Sequence, residues 1–317
     1  MRRYLLTTLT VGLGCTLSGC SGGGGSTTPA QAAGAPAVSR QQAQQVLTAY
    51  QAAVTKADQA LDDKALGTLE SGPQLQMDTA VYKLHRATKQ KYAPVAYTAP
   101  AFYIPRLTGY PRWFAVDGTQ GKAHRALLFQ QQSAAARWLL VAAPAGTEPL
   151  SRIELDSSGL ATPVSSDATL AISPAKLPSA HAELLTAGPK SPGAARLAAG
   201  GQTSQAYAGL QQARAGFAKL GVTLTTQFQP AGQPVYALRT TGGGAVVWYM
   251  LQQQESYVAR KAGAISVTGD LVGLAPAGTS DKQLTTTVLI QYLAKDPAKG
   301  KSTVTGSYRK AVQATAS

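Results

Sequence analysis

The chain has 317 residues, enough for one or two domains, and carries 29 basic against 15 acidic residues, a formal net charge of +14. Charged residues are only 14% of the chain and hydrophobic ones 44%, so the surface polarity must come largely from Gln, Ser and Thr around a sizeable apolar core. The two cysteines, Cys15 and Cys20, both lie within the first twenty residues, which excludes a disulfide framework or a thiolate metal site in the body of the protein.

Met1-Arg2-Arg3 forms a short positive start, and Tyr4 to Leu17 an apolar stretch too short to span a bilayer, which needs about 20 apolar residues. This is the layout of a signal peptide over residues 1–19. It ends Leu17-Ser18-Gly19-Cys20, which resembles the lipobox of bacterial lipoproteins. That resemblance implies a diacylglyceryl group on the Cys20 sulfur, cleavage before Cys20, and lipid anchoring in the cell membrane on its extracytoplasmic face. Two acyl chains anchor stably where one is marginal, at about 0.8 kcal/mol per buried CH₂. There is no asparagine, while Ala, Gly, Thr and Pro abound. With the lipobox, this composition is similar to that of surface lipoproteins of high-GC actinobacteria.

Residues 20–38, rich in Gly, Ala and Pro, read as a flexible tether reaching about 25 Å from the bilayer. The spacing of Ser39 and Gln42 predicts a capping box. Val46, Leu47, Tyr50, Val54 and Leu61 then continue one helical face. A second helix is expected near 74–89. Strands are expected at 101–107, 113–116, 125–131 and 137–142, with turns at Gly109-Tyr110-Pro111, Asp117-Gly118 and Pro144-Ala145-Gly146.

A Pro-rich linker spans 161–178. Short and long helices follow at 180–185 and 204–220, the latter striped by Tyr207, Leu210, Phe217 and Leu220 and stopped by Gly221. Further strands are expected at 222–229, 235–239, 245–253, 264–268 and 283–293. Ala-Pro-Ala-Gly-Thr recurs at 143–147 and 275–279.

The expected fold class is therefore α+β, with two tandem helix-plus-curved-antiparallel-sheet domains at 39–160 and 179–317. This order of elements looks like the NTF2-like and cystatin-like folds, a likeness that carries no function with it.

The chemical motifs dissolve on inspection. Ser173-Pro174-Ala175-Lys176 matches the S-x-x-K of penicillin-recognising enzymes, but a chain without Asn lacks that family's Ser-Asp-Asn element. Gly300-Lys301-Ser302 ends like a phosphate loop, yet Lys295 stands where its first glycine belongs. His85, His124 and His181 are far apart, and no His-x-x-x-His or His-Glu cluster occurs. No metal site, cofactor or catalytic residue is expected. Asp62-Asp63 and Glu154-x-Asp156 are the nearest to paired carboxylates.

One aromatic cluster suggests binding. Tyr97, Tyr103, Arg106, Tyr110, Arg112 and Trp113, with Tyr92, Phe102 and Phe114 nearby, mix rings with guanidinium groups that can stack on a sugar or hold an anionic glycan. The basic residues 83–91 and 295–310 suit anionic lipid headgroups or wall polymers, and an exported chain has no expected nucleic-acid partner. The functional expectation is a non-enzymatic envelope interaction or scaffold module. The alternative is a lipoprotein binding a hydrophobic or glycan ligand, and a hydrolase without visible motifs stands third.

Overall fold

The last residues of the expected tether, 34–38, are part of the packed structure. A computed structural model describes residues 34–316 except 93–95, 151, 262–264, 276–278 and 281; the signal segment, Cys20 and the tether before residue 34 lie outside the described residues. β1 (Ala35–Pro36) pairs antiparallel with Arg106–Leu107, and Ala37 N–H donates to Pro105 O at 2.9 Å. Ala37 and Val38 are buried. A Cβ on Gly34 would stand 2.7 Å from the Leu107 carbonyl carbon, so the chain enters here by close backbone contact that only glycine allows.

α1 (Arg40–Ala60) starts as its sequence requires. Ser39 Oγ accepts from Gln42 N–H, and Gln42 Oε1 accepts from Ser39 N–H. Its buried stripe is Ala43, Leu47, Tyr50, Val54, Ala57 and, less expectedly, Asp58. Asp62 caps the short α2 (Asp63–Leu66), and α3 (Gly72–Thr88) opens with Pro73 in its first turn.

The strands that follow are β2 (Thr98–Tyr103), β3 (Arg106–Leu107), β4 (Arg112–Gln120), β5 (Ala123–Gln131), β6 (Leu139–Ala142) and β7 (Ala145–Gly146). The turn expected at Asp117-Gly118 is inside β4; the chain reverses at Gly121 instead, where φ is 60°. Asp117 is buried and accepts from Leu150 N–H at 3.0 Å, and Gly118 leaves room for Tyr97. Tertiary partners thus override a local turn signal.

α4 (Leu177–Ala187) and α5 (Ser204–Lys219) precede β8 (Val222–Pro230), β9 (Tyr236–Arg239), β10 (Ala245–Ala259), β11 (Ile265–Ser266), β12 (Thr279–Ser280), β13 (Gln283–Asp296) and β14 (Thr303–Ala316). β14 was not anticipated. Its basic pair is neutralised, Arg309 by Glu255 of β10 at 2.9 Å and Lys310 by Asp270 of the 3₁₀ turn Gly269–Leu271 at 3.2 Å. Three of the four residues of the expected α5 stripe, Tyr207, Leu210 and Phe217, pack half-buried against the core, while Leu220 is 73% exposed.

The two expected domains are not separate units. The described residues from Gly34 onward form one compact body, built on a ten-stranded antiparallel sheet in the order β2-β4-β5-β7-β14-β13-β10-β8, with β6 on β5 and β9 on β10. β7 is the stitch, because Ala145 and Gly146 pair with Arg125 and His124 on one side and with Ser307 and Gly306 on the other. The expected inter-domain linker also bonds into the structure, with Val164 N–H on Ala237 O and Ala171 N–H on Pro297 O.

The physical reason lies in the strand faces. Phe114, Val116, Leu127 and Phe129 face α1–α3, and Val247, Tyr249 and Leu251 face α4. The opposite faces are apolar too: Trp113, Ala115, Ala126 and Leu128 pack with Leu238, Val246, Trp248 and Leu293 in a core shared by both halves. Burying each large side chain contributes about 1.5–3 kcal/mol, so neither half-sheet can stand with that second face in water.

Candidate functional site

The half-sheets leave a cavity of about 360 Å³ between them. Its walls are Leu128 and Gln130 of β5, Leu139, Val141 and Ala142 of β6, Trp248, Tyr249 and Met250 of β10, and Gln291 and Tyr292 of β13. The start of α3 (Ser71, Gly72, Pro73) and the approach to β9 (Gln233, Pro234, Tyr236) complete it with Pro111 and Gln132. The walls are mostly apolar and aromatic. The polar groups that converge on them are amides and hydroxyls, and none of the described lining residues is Asp, Glu, Lys, Arg or His.

These walls are held from behind. His181 is fully buried, Tyr249 OH lies 2.8 Å from its Nδ1, and its Nε2 lies 2.8 Å from Gln202 O. The geometry assigns the proton to Nε2, donated to the carbonyl, with Nδ1 accepting from Tyr249. Burial lowers the imidazole pKa to about 4. The His181 ring also meets Tyr292 edge-on at 4.6 Å. Gln130 Nε2 donates to Tyr236 OH, and Trp248 Nε1 donates to Ala126 O at 3.0 Å.

A second polar cluster lies beside the cavity, among α1, α3, β5 and β14. Tyr50 OH donates to Glu70 Oε1 at 2.7 Å, Tyr82 OH to Asp58 Oδ1 at 2.7 Å, and Tyr308 OH to Asp78 Oδ1 at 2.6 Å. Arg125 donates to Gln120 Oε1 and Ala143 O, and its guanidinium sits 5.2 Å from the centre of the Tyr308 ring. Glu70 Oε2 is buried with no donor. Burial first, then the charge of Asp78, pushes the Glu70 carboxyl well above the usual range. Burial raises Asp78 too, against the hydrogen bonds from Tyr308 and Gln74, and raises Asp58 to about 6. No group of three or more His, Cys, Asp or Glu among the described residues is arranged to hold a metal ion.

The aromatic cluster expected from sequence is dispersed. Trp113 is buried in the shared core, edge-on to Tyr236 at 5.3 Å, and Tyr103 OH donates to Leu150 O. Arg106 is held by Asp156 at 2.8 Å. Tyr97 borders the carboxylate cluster. Tyr110 and Arg112 stay together, the guanidinium 5.0 Å from the ring centre, on an open groove shared with Trp138 and the entering residues 36–39.

The remaining motifs have structural roles. Asp63 pairs with Arg86 at 2.5 Å, His124 Nδ1 lies 3.2 Å from Asp117, and Ser302 Oγ donates to the buried Asp296. Ser173 precedes a 3₁₀ turn, Pro174–Lys176, in which Lys176 is exposed. The cavity glutamines gave no sequence signal beyond interrupting apolar strands. Asp58 did, since it continues the Tyr50–Val54 stripe of α1 at helical spacing.

The profile of a family described as a domain of unknown function, DUF8094, matches residues 34–316. The chain belongs to this family. A relative from Streptomyces avermitilis, named an uncharacterised lipoprotein, is 30% identical over 84% of this chain and 81% of its own length. Two uncharacterised lipoproteins of Streptomyces coelicolor are 27% and 28% identical, over 86% and 76% of this chain and 84% and 74% of theirs. The likeness to actinobacterial lipoproteins is therefore shown. No solved structure matches the chain, so the NTF2-like and cystatin-like comparison has no structural counterpart. The DUF8094 match begins at Gly34, the first of the described residues. Among the described residues, no helix is long and apolar enough to cross a membrane.

Proposed function

We propose that this protein is a lipid-anchored, extracytoplasmic binding module that captures an uncharged, partly apolar ligand in the cavity between its half-sheets, without chemistry on it. The observation that carries the reading is the character of the lining. In a chain with 29 cations and 15 anions, the walls present Trp248, Tyr236, Tyr249, Met250 and Leu128 with four glutamine amides and no charge. A cavity of this size, mostly apolar with a few convergent polar groups, has the form of a small-molecule site. A charged ligand would lose its hydration with no counter-charge to meet it. Such a cavity favours capture over the scaffolding role expected from sequence.

The anchor is supported by the Leu17–Cys20 sequence and by relatives named as lipoproteins. Replacing Cys20 with alanine should leave the protein uncut or released from the membrane fraction. Wild-type protein recovered wholly in the culture medium would overturn the anchoring.

The cavity is tested with a matched pair of fluorescent probes on the chain from residue 20 carrying Cys20→Ser, in which no acyl chain competes. N-phenyl-1-naphthylamine is neutral, and 8-anilinonaphthalene-1-sulfonate adds a sulfonate to the same skeleton. The neutral probe should bind saturably, and the sulfonate at least about tenfold more weakly, a difference of about 1.4 kcal/mol. Val141→Phe, which fills the cavity, should abolish the neutral probe's signal. Equal binding of both probes, or binding that survives Val141→Phe, would sink the reading.

A further inference from the structure

The cavity wall and the buried carboxylates are one hydrogen-bonded structure. Gln291 lines the cavity, and its Nε2 donates to Gln74 Oε1 at 2.8 Å. Gln74 Nε2 in turn donates to Asp78 Oδ2 at 2.6 Å. Ala143 N–H donates to Gln291 Oε1 at 2.7 Å, which fixes the direction of the whole chain of amides. Asp78 therefore receives two donors, Tyr308 OH on one oxygen and Gln74 on the other.

Glu70 reaches the same wall by a second route. It directly precedes Ser71 and Gly72, which line the cavity, and its backbone bridges to Leu140, between the lining residues Leu139 and Val141. Ser71 N–H donates to Leu140 O at 3.1 Å. Both carboxyls are thus tied to the cavity, one through side-chain amides and the other through main chain.

Glu70 is buried, its Oε2 has no donor, and the charge of the half-buried Asp78 raises its carboxyl further. Two ionised carboxylates cannot share such a site without a large repulsion. One proton removes the conflict. Placed on Glu70 Oε2, it converts a buried acceptor that has no donor into a donor toward Asp78.

The surrounding groups fit this assignment. From α1, Tyr50 donates to Glu70 and the Asp58 carboxylate adds negative charge. From α3 come Tyr82 and, near Asp58, His85. Tyr92 and Tyr97 approach from the segment before β2. Arg125 of β5 favours the ionised form of Asp78, and Tyr308 of β14 donates to it.

We propose that Glu70 carries a proton shared with Asp78, and that losing this proton as the pH rises displaces Gln74 and Gln291 and weakens the cavity's hold on its ligand. This rests on the cavity being the binding site. Ionised Glu70 repels Asp78, and the movement passes along Asp78–Gln74–Gln291 to the wall. Ligand affinity and proton affinity are then linked, each raising the other by the same factor.

The test uses the chain from residue 20 with Cys20→Ser and N-phenyl-1-naphthylamine as the probe, titrated from about pH 6 to about pH 9. Wild-type affinity should fall, approaching about tenfold per pH unit once Glu70 ionises, the slope for one linked proton. Glu70→Gln keeps a neutral donor toward Asp78, so its affinity should stay flat and high. The infrared C=O stretch of a protonated carboxylic acid should be present in the wild type at neutral pH and reduced in Glu70→Gln, a readout that needs no probe. Binding that ignores pH, a wild-type slope retained in Glu70→Gln, or a missing carboxylic acid band overturns the proton linkage. Failure of the probe to bind at any pH overturns the cavity reading itself, and the linkage with it.

Discussion

Gly306→Ala should destabilise the protein by about 1–3 kcal/mol, the range for forcing an extra methyl group into a closed backbone contact. Gly306 pairs with Gly146 where β14 meets β7, and a Cβ there would lie 2.7 Å from Ala145 O and 3.1 Å from Ala145 C. The obstacle is the backbone of β7, so no side-chain rotation relieves it. The two-residue β7 is also the strand that joins the half-sheets along the sheet path. Loss of its register therefore exposes the edge of the shared core as well as breaking local bonds. Gly209→Ala in α5 provides the opposite control: nothing lies within 4 Å of its Cβ position, and alanine should add about 0.5–1 kcal/mol through helix propensity. Thermal melts of the two variants should move in opposite directions. A Gly306→Ala protein that melts like the wild type would show that the stitch does not matter to stability.

Replacing His181 with glutamine should make stability fall more steeply with rising pH. Glutamine can keep both bonds, donating to Gln202 O and accepting from Tyr249 OH. Buried His181 has its pKa lowered from 6.5 to about 4 by desolvation. Between those values the unfolded chain binds a proton that the folded chain does not, so this group stabilises the fold increasingly as pH rises. Its contribution is fully present above the unfolded value and is lost as pH falls toward about 4.

Asp58 acts in the opposite sense. Burial raises its pKa from 3.8 to about 6, so its contribution is present at low pH and is lost as pH rises through about 6. Glu70 and Asp78, both raised, add to the same downward trend. At one pK unit per 1.36 kcal/mol, the stability gap between wild type and His181→Gln should shift by roughly 3 kcal/mol toward the wild type from about pH 4 to about pH 6.5. Asp58→Asn should shift the gap the other way. Denaturant unfolding at several pH values measures both. A gap that stays constant with pH would mean that His181 titrates alike in the folded and unfolded states.

Local chemistry was legible in the sequence wherever neighbours along the chain decide it. Ser39 and Gln42 announce the start of α1 because both halves of a capping box lie within one turn. Gly221 ends α5 in a left-handed conformation with φ 75° for an equally local reason. The lipobox-like Leu17–Cys20 and the placement of both cysteines are likewise readable from order alone.

Whatever depends on pairing distant segments was not legible. The unbroken apolar runs Trp113–Val116, Ala126–Phe129 and Ala245–Leu251 signal strands buried on both faces. Only the folded chain shows that their second faces cover one another, which turns two expected domains into one sheet stitched at Ala145–Gly146. The aromatic cluster at 97–113 looked like one surface because its members are close in sequence. Period-two alternation along β4 sent Trp113 to the shared core, while Tyr97 and Tyr110, outside the strands, lie at the carboxylates and on the open groove. The cavity collects residues from 71 to 292, and Gln74 meets Gln291 across 217 positions. Sequence by itself determined how α1 starts and where α5 stops, and it carries the lipobox-like segment on which the anchoring proposal rests. Tertiary structure alone decided where a site can be, because its polar groups gain meaning only once burial has removed water from around them.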